Sequence, residues 1–137
     1  QMKSIEETLN FKLDFKKIEK AAKACPGIIP VAIQNILTDE VILLAYTNKK
    51  AMLMTLKTGE LCLWSTSRNK LWRKGAGSGH TFKVLEVYVN CEQNSLLYKV
   101  RAGKGGICHT NNRKGKPRNC FYRRIRPASL KLVNTDR

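Results

Sequence analysis

Apolar positions along this chain switch between a helical and a strand-like period, and the switches mark its elements. Ser4 followed by Glu7 has the form of a capping box, and Ile5, Leu9 and Leu13 follow at helical spacing. A second helical piece, Asp14 to Ala24, sets Phe15, Ile18 and Ala22 on one packing face, and Pro26-Gly27 stops it. Ile28 to Leu37 and Val41 to Tyr46 are apolar and rich in β-branched residues, with Thr38-Asp39-Glu40 between them as a hairpin turn. Asn48 stands where an N-cap belongs and Gly59 where a C′ residue belongs, which predicts a helix over 49–58. Its apolar face is Ala51, Met52, Leu53 and Leu56, with the methionines as core filler. Leu61–Ser65, Phe82–Val89 and Leu96–Val100 are strand-like, the last two joined by a turn at Asn90–Ser95. Phe121–Ile125 predicts a last strand, and from Arg126 onward the tail is expected to be loose.

The 137 residues fit a single domain, 1–137, with 1–12 as a peripheral leader and 126–137 as a peripheral tail. No apolar run approaches the roughly 18 to 20 residues of a membrane span, and the N-terminus lacks the apolar core of a signal peptide. No membrane partner and a cytoplasmic location are therefore expected. In a reducing compartment the five cysteines are free thiols or metal ligands.

Charge sharpens the picture. Of the formal +16, eleven cations from Lys99 to Lys131 lie in a stretch with no acidic residue between Glu92 and Asp136. Such a half attracts anions, either phosphorylated metabolites or nucleic acid. The run Trp64 to His80 interleaves two tryptophans with cations, glycines and hydroxyls, a composition suited to stacking on a base and holding phosphate, and it predicts a ligand-binding loop. Cys91, Cys108 and Cys120 are the cysteines of the half that carries both histidines, and three thiolates with an open fourth position would make a zinc site of catalytic type. Spacing alone leaves scattered buried cysteines as the alternative. Cys62, inside a strand, reads as a small buried hydrophobe.

The series PGIIPVAIQN, EVILLAYTNKKAM, TGELCLWSTSRNKLWRKGAGSGH, CHT and NCFYR resembles phosphoribosyl-AMP cyclohydrolase of histidine biosynthesis over roughly residues 13 to 125. The motif SRxxLWRKGxxSGH, Ser67 to His80, is long and specific. The resemblance implies an α+β fold, mostly antiparallel sheet with few short helices, in an intertwined homodimer with shared active sites. It implies a phosphorylated nucleotide substrate whose adenine ring is hydrolysed between N1 and C6. It places zinc on Cys91, Cys108 and Cys120, drawn from both subunits, where a bound water acidified by the metal would attack C6. His109, with His80 as second candidate, would move the proton. Ser65, Arg68, Trp72, Arg73, Lys74, Ser78, Gly79 and Thr110 would hold the substrate.

Two departures stand out. The family's Asp-Cys-Asp-x-Asp is here Asn90-Cys91-Glu92-Gln93-Asn94, a degenerate magnesium site, since neutral amide oxygens bind a hard dication much less well. Between Cys108 and Cys120, Asn111–Asn119 looks like an insertion carrying Arg113, Lys114, Lys116 and Arg118, expected to bring fixed cations to the active site. The alternatives to the cyclohydrolase are a paralogue acting on another purine-type nucleotide, or reuse of the fold to bind nucleotide or RNA without turnover.

Overall fold

Two short helices and eight strands make up the described residues, which in this computed structural model are 7–11, 13–74, 81–101 and 110–137. The expected α+β architecture is present. Strands β1 (Ile29–Asn35) and β2 (Val41–Thr47) form the predicted hairpin, closed where Asp39 takes the left-handed conformation (φ 61°). β5 (Lys83–Val89) and β6 (Leu96–Arg101) form a second hairpin, and β6 lies parallel to β1 in register Val31↔Leu96. The resulting sheet has the order β2-β1-β6-β5, antiparallel except at its centre.

Strand alternation builds the core. Val31 and Ile33 of β1, Ile42 of β2, and Tyr98 and Val100 of β6 are buried together with Leu61, Leu63 and Phe82. Helix α2 (Lys49–Thr58) forms where its caps predict it. The Asn48 side chain accepts from Ala51 N at 2.9 Å, and Gly59 ends the helix at φ 73°, a conformation that favours glycine. The buried face is narrower than expected. Ala51 and Thr55 are buried, whereas Leu53, Met54 and Leu56 are exposed and Met52 is half-buried, so Met54 is not core filler. The reason is a polar clamp: Thr55 Oγ1 donates to Cys62 O and accepts from Cys62 N, both at 3.0 Å, and seats the helix through its small residues on β3 (Cys62–Ser65).

The predicted first helix is not seen in its described part. Leu132 N donates to Leu9 O, and Asn10 bridges Lys131, so this stretch runs extended beside β8 (Lys131–Asn134) and tertiary pairing overrides the helical period. β8 also corrects the loose tail, because it pairs antiparallel with β7 (Arg123–Arg126). Helix α1 (Lys17–Ala24) begins after Asp14, whose carboxylate accepts from Lys17 N at 3.2 Å. Its buried contacts are Ala21 and, just beyond it, Cys25. Phe15, Ile18 and Ala22, expected to pack, are exposed, because small residues allow the closer approach.

Candidate functional site

In the described part of the Trp64–His80 run, residues 64–73 belong to a hairpin where a loop was expected. β3 pairs with β4 (Lys70–Arg73) in register Leu63↔Trp72, and Asn69 turns the chain at φ 50°. Trp64 Nε1 donates to Asn69 Oδ1 at 3.1 Å and holds the turn, while the Ser65 and Ser67 hydroxyls lie 3.3 Å apart. The hairpin is tied to the sheet by Lys74 N to Leu61 O and Leu61 N to Phe82 O.

This hairpin shapes a cleft of about 530 Å³, lined by Ser65, Ser67, Arg68, Lys70, Leu71 and Trp72. Three expected substrate residues, Ser65, Arg68 and Trp72, thus come together, and Trp72 is 39% exposed. Two others face elsewhere. Arg73 pairs with Glu60, and the Lys74 ammonium sits 5.3 Å from the centroid of the Phe82 ring. Thr110 is buried. Ser78, Gly79, His80, Cys108 and His109 lie outside the described residues. Ser67 and Lys70 were not singled out from the sequence as ligand contacts. The available signal was the two-residue spacing of Lys70 and Trp72 on one strand, which sets both on the same face.

The cysteines divide as expected in part. Cys62 is buried, and desolvation raises its thiol pKa, with Arg73 opposing, so it remains a neutral packing group. Cys25 is buried too, its thiol 3.6 Å from Thr66 O. Cys91 is exposed on the β5–β6 turn. Cys120 is half-buried against the core, its N–H donating to Ile42 O at 2.9 Å, and it also lines a cleft of about 200 Å³ with Phe11, Leu13 and Phe121. These two cysteines stand at opposite corners of the sheet. Cys120 is fastened to β2 at the level of Ile33, whereas Cys91 lies beyond Val89↔Leu96 on the far hairpin. Strand spacing and rise put them roughly 15–20 Å apart. Thiolates sharing one zinc bind it at about 2.3 Å each, a separation these two do not approach within the chain. Among the described residues of the one chain, no group of three metal-ligating side chains converges.

The Asn90–Asn94 turn satisfies itself. Asn90 Oδ1 accepts from the N–H groups of Asn94 and Ser95, both at 2.9 Å, and Asn90 Nδ2 donates to Asn94 Oδ1 at 2.7 Å. Both amide oxygens are engaged there, leaving Glu92 as the sole carboxylate. The apparent insertion is a tight turn in which Asn112 Oδ1 accepts from Lys114 N and Lys116 N. Arg118, expected to offer free charge, is buried instead. It pairs with Glu7 at 2.9 Å, donates through Nε to Asp136 O at 2.7 Å, and lies over the Tyr122 ring.

A concave site with an aromatic face, a guanidinium, an ammonium and hydroxyls has the chemistry that suits a phosphorylated, ring-bearing ligand. The chain matches the profile of phosphoribosyl-AMP cyclohydrolase over residues 43–122, a span that contains the whole hairpin cleft. It belongs to that family of hydrolases. It is 48% identical over 99 residues to the phosphoribosyl-AMP cyclohydrolase of Archaeoglobus fulgidus, covering 72% of this chain and 86% of that protein. Against the phosphoribosyl-AMP cyclohydrolase of Syntrophotalea carbinolica it is 42% identical over 110 residues, 80% of this chain and 78% of that one. A histidine biosynthesis bifunctional protein of Aquifex aeolicus is 44% identical over 99 residues, which are 72% of this chain and 46% of that protein. No helix among the described residues is long and apolar enough to cross a membrane.

Proposed function

We propose that this chain is the phosphoribosyl-AMP cyclohydrolase of histidine biosynthesis, adding water to C6 of the adenine ring and breaking the N1–C6 bond, with N1 taking up the proton. The observation that carries this reading is the cleft in which Trp72, Arg68, Lys70 and Ser65 converge inside the span matched to the family. Trp72 stacks on the base, Arg68 and Lys70 bind phosphate, and the Ser65 and Ser67 hydroxyls bond the ribose. His109, or His80 in its place, is assigned the proton transfer to the departing nitrogen.

Cys91, Cys108 and Cys120 are the residues that would hold zinc, and a three-thiolate donor set suits that metal. When bound, zinc would supply the Lewis acidity that lowers the pKa of the attacking water. Cys108 is two residues from Thr110 in sequence, and the Thr110 carbonyl accepts from Arg118 N, two residues before Cys120, so we assign Cys108 and Cys120 to one zinc site. Because Cys91 lies far from Cys120 on the same chain, it is assigned to a second copy. The exposed apolar side chains of the edge strand β5, Leu85, Val87 and Val89, suit burial in such a homodimer. No magnesium site is assigned to the Asn90–Asn94 turn, whose oxygens are already used.

The test is to mix zinc-loaded protein with phosphoribosyl-AMP and follow the ultraviolet change of ring opening. Turnover is expected. Absence of hydrolysis of any nucleotide, with RNA binding that survives physiological salt, would overturn the reading.

A further inference from the structure

A second concave site lies away from the hairpin cleft, between the 111–119 turn, the β7–β8 hairpin and the extended residues 7–10. It also encloses about 530 Å³. Five cations line it, Arg113, Arg118, Arg126, Lys131 and Arg137, against one carboxylate, that of Glu7. Glu7 is already neutralised by Arg118, which forms the buried floor. Among the described residues, no carboxylate pairs with Arg113, Arg126, Lys131 or Arg137. Arg126 and Lys131 stand directly opposite each other across the hairpin, a like-charge pair that destabilises the ladder unless an anion lies between them. The β7–β8 hairpin falls outside the residues matched to the family, so this cationic wall is not part of what the match covers.

We propose that this cleft binds a small polyphosphate, a ligand with two or more linked phosphate groups recognised by charge alone. Its volume is that of a small-molecule site, where pockets run from about 300 to 1,000 Å³. No aromatic side chain lines it, so nothing there stacks on a base, which argues against a nucleobase or single-stranded RNA as the recognised element. Guanidinium and ammonium groups on facing strands match the spread of negative charge along linked phosphates better than a single phosphate. The inference does not rest on the cyclohydrolase reading.

Titration calorimetry of the full chain with inorganic triphosphate at physiological salt tests it. Saturable binding near one per chain is expected, weakened on the order of tenfold in Arg126→Ala/Lys131→Ala. The exposed pair Lys50→Ala/Lys57→Ala removes the same charge from α2 and should bind as the parent does. Equal weakening by both pairs would reduce the site to bulk charge and overturn the proposal, as would binding no stronger than chloride at matched ionic strength. An RNA oligomer that binds more tightly than triphosphate and loses affinity in the Arg126/Lys131 variant would overturn it in favour of a nucleic-acid groove. Circular dichroism of each variant confirms the fold, and Lys131→Gln alone, which keeps the strand pairing, should give a smaller loss in the same direction.

Discussion

The two clefts are equal in volume and both cationic, yet their walls differ in kind. The β3–β4 cleft mixes one aromatic face with hydroxyls and two cations, whereas the β7–β8 cleft has five cations and no ring. Charge gives affinity for phosphate but says nothing about the group attached to it. A ring and hydroxyls at fixed positions discriminate that group, because a ligand lacking the matching parts leaves them unpaired. The lining of the hairpin cleft therefore suits selecting a ligand, and that of the second cleft suits attracting one.

The largest effect that would sharpen this contrast comes from the thiolates. Cys120→Ala or Cys91→Ala should release zinc and cut turnover on the order of 10³-fold, the loss of several kcal/mol of metal assistance. Cys62→Ala should keep both, since its thiol is a buried packing group. Metal analysis and steady-state kinetics check this, and full zinc content in Cys120→Ala would break the assignment. Triphosphate binding should not change in any of the three.

Next comes the ring. Trp72→Ala should raise KM for phosphoribosyl-AMP about 10- to 100-fold, the worth of one base–aromatic stack, while leaving triphosphate affinity unmoved. If both ligands weaken together, the clefts are not separate and the comparison fails.

Arg118→Ala should lower stability by about 2 kcal/mol in urea denaturation. It removes the bond to Asp136 O and the packing on Tyr122, whereas the ion pair contributes little because Glu7 is 43% exposed and screened. Arg126→Ala, with an exposed and unpaired side chain, should stay within about 0.5 kcal/mol. The floor of the second cleft is structural and its wall is not.

The smallest effect is that of pH. Burial raises the pKa of both Cys62 and Tyr98, so the unfolded chain releases these protons at lower pH than the folded chain does. Their contribution to stability is fully present below the unfolded values and is lost as pH rises through the folded ones, from about pH 9 upward. Tyr98→Phe should flatten part of that decline in denaturation curves taken at successive pH values.

Sequence reading succeeded where local signals and tertiary packing agree. Asn48 and Gly59 bounded α2 because a cap and a left-handed glycine are local events. Val31 and Ile33 alternated because one sheet face is buried. It failed where long-range pairing decides. Leu9 has a helical period but joins β8, more than a hundred residues on, and although a strand over Phe121–Ile125 anticipated β7, β8 was missed because four residues in the tail carry too short a pattern to announce their pairing. In the candidate site, Trp72 and Arg68 were legible from composition. Arg73 and Lys74 looked equivalent to them, yet Glu60 and Phe82, their actual partners, are near only in the fold. Nothing local announces that Arg118 will be buried by Glu7, at the other end of the chain.

The parallel pairing of β1 with β6 has a consequence for how the molecule reaches its fold. Register Val31↔Leu96 closes a loop of about 65 residues, at an entropic cost of roughly 4 kcal/mol before any contact repays it. The β1–β2 and β5–β6 hairpins are local and can form in microseconds, so docking one on the other is the slow event. The β3–β4 hairpin sits inside that loop, fastened at Leu61 and Phe82 to the segment leading into β5. Substitutions at the β1–β6 seam, such as Ile33→Val facing Tyr98, would therefore slow refolding, and recovery of the ligand cleft would lag behind recovery of hairpin structure.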